Sequence, residues 1–333
     1  MVNSPEFYME LALEKAWAYQ GLTYPNPPVG AVITGIKDRF IAYGVHKKAG
    51  APHAEVNAIK NAYFELTNDK EILQLEKSDE IHSYLRANHN GIFRDKNIFV
   101  TLEPCNHYGK TPPCSELIAS LRFNKVFIGT QEKNKKASGG AEFLKKKGLR
   151  VEILNKPRCK ELLEPFALWQ KDRFVFFKLA MSGNGVIDGG VISSKSSREI
   201  VHKLRDKCDL LVIGGNTVRV DRPTLDARLC DGKAPDVLIY SKTKEFDKSI
   251  ALFGVPNRTV HVEESLEKIN DYNFVMIEGG EGMLRATKEF VEHYLFFRSP
   301  SFKEGFAPMV ELKLRELFSL AIAEDRYSWL KKV

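Results

Sequence analysis

One histidine, one glutamate and two cysteines have the types and spacing to do chemistry together. They lie in Pro52-His53-Ala54-Glu55 and in Pro104-Cys105 with Cys114. An imidazole and two thiolates can hold a zinc ion and leave a fourth position open for water. Zinc lowers the pKa of that water towards neutrality. Glu55 stands two residues beyond the imidazole. If the segment starts a helix, its carboxylate points into the same pocket without being a ligand. Each half of the pattern is weak alone, because His-x-Glu is common and buried cysteines usually behave as small hydrophobes. Both halves beside strand-like runs favour a metal centre.

The elements around these residues follow from local pattern. Ser4 can cap a helix with Pro5 at its first position, and Tyr8, Leu11, Ala12 and Ala16 recur at helical spacing towards Gly21. Three prolines exclude regular structure from Thr23 to Gly30 and leave Asn26 as a positioned amide or a plain turn residue. Residues 31–34 and 40–43 read as adjacent strands, and a helix face continues past Glu55 through Val56, Ile59 and Ala62. The polar stretch 64–96 reads as a surface excursion with one or two helices. Strand 98–101 delivers Cys105, and a helix at 115–121 would start on Cys114, where the electropositive end favours a thiolate. Strand 125–129, helix 141–147 and strand 149–154 complete an alternation that implies helices packed on a partly parallel sheet.

An amphipathic helix from Pro157 to Gln170 reads as a connector. Beyond it, Phe174–Ala180 and Leu210–Gly215 are near-continuous apolar runs of the kind buried on both faces. Further strands are expected at 237–240 and 274–277, and helices at 193–205 and from Met283. Gly279-Gly280-Glu281-Gly282 lies between strand and helix, where backbone N–H groups can approach a phosphate; a tight turn explains the same residues. Arg205, Arg219, Arg222 and Arg228 have the forked guanidinium that pairs with phosphate, although most surface arginines do nothing of the kind.

With 333 residues, 43% of them hydrophobic, the chain can bury two cores. No apolar run approaches 18 residues, so no transmembrane helix is expected. The start lacks the pattern of a signal peptide, which implies a cytoplasmic protein whose five cysteines are reduced. Cys159, Cys208 and Cys230 read as structural. A net charge of +7 suits nucleic acid, a small phosphorylated substrate or merely a solvated basic surface. The lysines within 133–136 and 145–147 read as exposed charges.

Histidine, a glutamate two residues on, then proline–cysteine and a second cysteine is the signature of the zinc deaminases of nucleobases. Here eight residues, Asn106 to Pro113, separate the cysteines instead of two. With Thr23-Tyr24-Pro25-Asn26-Pro27-Pro28-Val29-Gly30, Pro52-His53-Ala54-Glu55-Val56, and Thr101 through Cys114 with Thr111-Pro112-Pro113, the chain resembles the bifunctional riboflavin-biosynthesis deaminase/reductase family over nearly its whole length. Lys178-Leu179-Ala180-Met181-Ser182 is similar to the opening strand of that family's second half.

The resemblance implies an α/β fold: a cytidine-deaminase-like α-β-α sandwich over 1–154, a connector helix over 155–171, and a dihydrofolate-reductase-like α/β domain over 172–333. It implies zinc on His53, Cys105 and Cys114, with Glu55 as the catalytic proton carrier and Asn26 as a substrate contact. In the second half it implies NADPH contacts at Ala180, Thr217, Asp221, Ser241, Gly280, Glu281 and Gly282, and substrate contacts at Arg205, Leu225, Arg228 and Glu278. The implied reactions are deamination of a phosphoribosylated diaminopyrimidinone, then NADPH-dependent reduction of its ribosyl group to ribityl. The implied partner is this small molecule, with neither nucleic acid nor membrane; a homo-oligomer is an option that the sequence leaves open. Three positions depart from the family pattern: Ser182-Gly183-Asn184-Gly185 replaces Ser-Leu-Asp-Gly, the segment to Ser193 is short, and Val191 stands where an aromatic is usual. Three rivals remain: a chain active only as a deaminase, a nucleic-acid cytidine or adenosine deaminase, and a non-catalytic zinc-binding scaffold.

Overall fold

Period-two alternation builds the first sheet. In a computed structural model, which describes residues 4–109, 111–132, 134 and 137–333, Ala31, Ile33, Ile98, Val100, Val126 and Ile128 share one buried cluster. Val32, Phe99 and Phe127, the intervening residues, are also buried, with the Phe99 and Phe127 rings stacked at 4.4 Å and Tyr8 beside Phe99. Both faces are therefore covered. The expected loop charges Lys133, Lys135 and Lys136, the start Met1-Val2-Asn3 and Lys110 of the cysteine loop lie outside the described residues.

The chain divides into two compact units, Met1–Phe166 and Ala167–Val333. In the first, α1 (Pro5–Trp17) is followed by the antiparallel pair β1 (Gly30–Thr34) and β2 (Phe40–Val45), then α2 (Ala54–Thr67), α3 (Glu71–Gln74) and α4 (Ser78–Asn88). Next come β3 (Asn97–Val100), α5 (Cys114–Leu121), β4 (Lys125–Ile128), α6 (Gly140–Lys146) and β5 (Arg150–Ile153). The sheet order is β2-β1-β3-β4-β5, with β3, β4 and β5 parallel. Ser4 occupies the cap position of α1, but its side chain does not close the cap. A Cβ on Gly44 would stand 2.1 Å from the Ala58 nitrogen, so only glycine lets α2 lie directly on β2.

One expectation changes. The 64–96 stretch is not a surface excursion: Ile72, Ile81, Leu85 and Phe93 are fully buried in the same core as α2 and α5. Its apolar residues are few, but those of α3, of α4 and of the turn after it enter one core, and α4 packs against both α2 and α5. The connector α7 (Pro157–Lys171) contributes to the first unit up to Phe166. There Gln20 Nε2 donates to the Leu162 carbonyl at 2.7 Å, and the Phe166 ring meets Tyr24.

The second unit comprises β6 (Phe174–Met181), α8 (Lys195–Lys207), β7 (Leu210–Gly214), α9 (Gly215–Asp221), β8 (Asp236–Tyr240), β9 (Val260–Glu263), β10 (Phe274–Glu278), α10 (Glu281–Thr287), β11 (His293–Arg298), β12 (Leu314–Ile322) and β13 (Asp325–Lys332). Its sheet runs β12-β13-β11-β6-β10-β7-β8-β9. The strands from β11 to β9 are parallel, and the β12–β13 hairpin closes one end antiparallel. The apolar runs β6, β7 and β10 are its centre, as continuous hydrophobicity predicts. Sequence reading assigned neither β9 nor β11 nor the terminal hairpin. No helix of the described residues is long and apolar enough to cross a membrane.

Candidate active sites

The metal-type residues come from three different elements. His53 is the N-cap of α2, Cys105 follows β3, and Cys114 is the first residue of α5. Their ligand atoms lie within 4.8 Å of one another. His53 Nδ1 is 3.6 Å from Cys105 Sγ and 3.4 Å from Cys114 Sγ. One imidazole and two sulfurs at this separation fit a zinc ion, whose bonds to them run about 2.0–2.3 Å. The Cys114 N–H points at Cys105 Sγ at 3.4 Å. Cys105 is held well below the usual thiol range, first by its Cys114 partner and then by His53. Cys114 is pushed well up by the same neighbour and by burial. Two adjacent thiolates repel each other, and a bound dication removes that cost.

Glu55 lies in the first turn of α2 and is 4% exposed. Burial, then the neighbouring Cys105, raises its carboxyl to about 7. A carboxyl near neutrality can both take and return a proton at working pH.

Asn26 reaches the same pocket. Its Nδ2 is 3.0 Å from His46 Nε2, and His46 Nδ1 is 3.2 Å from the Pro52 carbonyl. A carbonyl only accepts, so His46 carries its proton on Nδ1 and accepts from Asn26 on Nε2. Burial, then His53, drops His46 to about 4 and keeps it neutral. Sequence reading missed His46, although a histidine between two glycines seven residues before His53 was there to question. It also missed Glu103. This buried carboxylate accepts from Ala141 N at 2.8 Å and Glu132 N at 3.1 Å, fixing the turn that presents Cys105.

In the second unit the predicted residues gather at the C-terminal ends of the parallel strands, where open α/β sheets bind ligands. Arg205 of α8 grips Glu278, the last residue of β10, with Nη2 at 2.9 and 3.1 Å from its two oxygens. Lys178 of β6 is 3.7 Å from the same carboxylate. Burial alone would raise Glu278, but Arg205 and then Lys178 hold it down at about 2. Lys178 was another missed residue; a lone lysine inside an apolar strand was its signal. Arg205 Nη1 also donates to the Asp226 carbonyl at 3.3 Å, and Arg228 pairs with the Asp226 carboxylate at 2.7 Å. Leu225, next to Asp226 in the chain, is buried with φ +57°. Arg205, Glu278, Asp226 and Arg228 therefore form one cluster, which Leu225 adjoins in sequence.

The other predicted residues lie along the same edge. Gly280 caps α10 after Gly279, whose φ of +155° favours glycine. Thr217 and Asp221 are on α9, and Ala180 is near the end of β6. Ser241 directly follows β8. The Glu281 carboxylate is committed to Arg285 at 2.7 Å and to the Met309 N–H at 2.9 Å, leaving only its backbone N–H for a phosphate. Asn184 binds the Lys303 backbone with both ends of its amide, at 2.8 and 3.1 Å, and Val191 is exposed. An aspartate at position 184 could make only one of those two bonds.

Fold and site together define a zinc deaminase of the cytidine-deaminase type followed by a reductase domain. Residues 2–130 match the cytidine and deoxycytidylate deaminase zinc-binding region, and residues 173–295 match the RibD C-terminal domain. Riboflavin biosynthesis protein RibD of Mycobacterium tuberculosis is 31% identical over 302 residues, covering 86% of this chain and 81% of that protein. That of Aquifex aeolicus is 33% identical over 351 residues, covering 93% and 91%. The solved diaminohydroxyphosphoribosylaminopyrimidine deaminase/5-amino-6-(5-phosphoribosylamino)uracil reductase of Thermotoga maritima superposes with a TM-score of 0.64 at 26% identity, over 99% of both chains. The chain belongs to the RibD family of riboflavin-biosynthesis proteins. It is a bifunctional enzyme with a deamination and a reduction step, and it uses zinc and NADPH.

Proposed function

We infer that residues 1–154 deaminate 2,5-diamino-6-(5-phosphoribosylamino)pyrimidin-4(3H)-one, and that residues 172–333, joined through 155–171, reduce the ribosyl group of the product to ribityl. The observation that carries this reading is the convergence of three zinc-type ligand atoms within 4.8 Å beside a buried carboxyl. His53, Cys105 and Cys114 would hold zinc, which supplies a water of lowered pKa. Glu55 takes the proton from the attacking water and returns it to the departing amino group. Asn26, turned by neutral His46, keeps its carbonyl oxygen as acceptor for an N–H of the heterocycle.

In the second unit, Arg205 and Arg228 offer guanidinium groups to the phosphoribosyl chain, and Glu278 offers acceptors to its hydroxyls. Leu225 walls the substrate. Ala180, Thr217, Asp221, Ser241, Gly280, Glu281 and Gly282 would line the NADPH side, the last three through backbone N–H groups. NADPH when bound supplies the hydride; the residues orient it against the sugar. The test has two parts. Stripping the metal with a chelator is expected to abolish ammonia release from the diaminopyrimidine, and zinc to restore it. The deaminated product is expected to support NADPH oxidation in the stripped protein. Ammonia release that survives complete stripping overturns the first assignment, and absence of NADPH oxidation at saturating cofactor overturns the second.

A further inference from the structure

Arg219 differs from four other arginines of the second unit. Arg205 pairs with Glu278, Arg222 with Asp247, Arg228 with Asp226 and Arg285 with Glu281. Among the described residues, no carboxylate lies within ion-pair distance of Arg219. Its guanidinium is nevertheless held in place. Nη2 donates to Ser241 Oγ at 3.3 Å and to the Thr243 carbonyl at 3.2 Å, and the group lies 4.2 Å over the Phe246 ring. The Ser241 hydroxyl accepts from Arg219 and donates to Thr243 O at 2.8 Å, so it too is fixed. The residue is exposed, and Lys242 and Lys244 flank Thr243 in sequence. An oriented but unneutralised guanidinium, held only by neutral acceptors and an aromatic face, is prepared to meet an anion.

Its place in the sheet says which anion. Gly214 and Tyr240 are paired at the C-terminal ends of β7 and β8, and Ser241 follows directly. The substrate cluster of Arg205, Glu278 and Lys178 stands at the ends of β10 and β6. From β6 to β8 is three strand steps in the order β6-β10-β7-β8, roughly 14 Å at strand spacing. The nicotinamide must reach the substrate cluster, and Thr217, Asp221 and Ser241, read above as NADPH contacts, lie on α9 and just after β8, so the adenosine end of NADPH falls towards β7 and β8. The only group there that separates NADPH from NADH is the phosphate on the adenosine ribose.

We propose that Arg219, planted by Ser241, Thr243 and Phe246, binds the 2′-phosphate of NADPH and makes the reductase selective for it over NADH. This rests on the reading of the second unit as the reductase. The tests are coenzyme kinetics on the deaminated substrate with the full chain, and binding of adenosine 2′,5′-bisphosphate against adenosine 5′-monophosphate by calorimetry. Arg219→Met is expected to lower kcat/KM for NADPH roughly 10- to 100-fold, the worth of a charged hydrogen bond, chiefly through KM. The value for NADH is expected to stay within about twofold. Arg219→Lys should recover part of the loss, and the same variants should weaken the bisphosphate but not the monophosphate. The unchanged value for NADH reports that the second unit is folded. An unchanged NADPH-to-NADH ratio, equal losses for both coenzymes, or equal binding of the two nucleotides by the wild type overturns the proposal. A wild type that binds the bisphosphate selectively through Arg219 but oxidises neither coenzyme upholds it while removing the reductase reading.

Discussion

Glu55 and Glu278 are both buried carboxylates, and their surroundings push them in opposite directions. Glu55 has burial and Cys105 raising it to about 7, which suits a group that must exchange protons. Glu278 has Arg205 and Lys178 overriding burial and holding it at about 2, which suits a permanent anion that shapes a binding site. Glu55→Gln removes the proton carrier at nearly constant volume. It is expected to keep one zinc per chain, read by elemental analysis, and to cut ammonia release about 100-fold or more; a variant that retains turnover contradicts the assignment. Arg205→Ala leaves Glu278 with Lys178 alone. It is expected to cost the second unit about 3 kcal/mol or more, because an underpaired charge is left buried. It should also raise the KM of the reductase substrate while ammonia release stands. Denaturant melts and the two assays check this.

At the scale of elements, α2 matters most, because it carries His53 at its start and Glu55 in its first turn. Its seat is Gly44. Gly44→Ala forces a methyl against the Ala58 nitrogen and the Ala54 carbonyl. The expected effect is destabilisation of the first unit by about 1–3 kcal/mol together with weaker zinc retention. Undiminished zinc affinity would show that α2 does not need this contact. The α3–α4 segment makes a second case. Leu85→Ala is expected to cost about 2–5 kcal/mol, measured by urea unfolding, whereas a leucine on a mere surface excursion would cost almost nothing.

This is also where sequence reading reached its limit. The metal set, β1, β2, β3, α5, β6, β7 and β10 were legible because each has either a chemical signature or a clean apolar period. The burial of 64–96 was not legible: Ile72, Ile81, Leu85 and Phe93 are isolated in a polar stretch, and they reach one core from α3, from α4 and from the turn after it. The terminal strands β12 and β13 were missed for a related reason. Only three of the nine residues of β12 are apolar at buried or half-buried alternate places, and charged residues interrupt both strands. His46 and Glu103 act through hydrogen bonds to loops, which leave no periodic trace.

At the scale of the whole molecule, acid should unfold the protein in two stages of different origin. His82 and His202 are both lowered to about 4, His82 by burial and then Arg86, His202 by burial and then Arg205. The unfolded chain takes up these protons near 6.5, so the folded state binds fewer protons between. The stability they contribute is whole above about 6.5 and is lost as pH falls towards 4. For Glu278 the contribution is whole above about 4.5 and is lost as pH falls towards 2. Tm is therefore expected to fall by several degrees, about 2–4 °C per kcal/mol, between pH 7 and 5. His82→Leu should flatten that slope. A Tm independent of pH across this range would contradict the neutral, buried state of the two imidazoles.

The most direct test of the whole account is one time course, in which the chain is mixed with the phosphoribosylated diaminopyrimidine and NADPH while ammonia and NADPH are followed together. The account predicts that ammonia appears first and that NADPH is consumed after a lag, reaching one oxidised per ammonia released. Glu55→Gln should suppress both signals, and added deaminated product should restore only the second. NADPH consumption that precedes ammonia, or that persists undiminished in Glu55→Gln without added product, would contradict it.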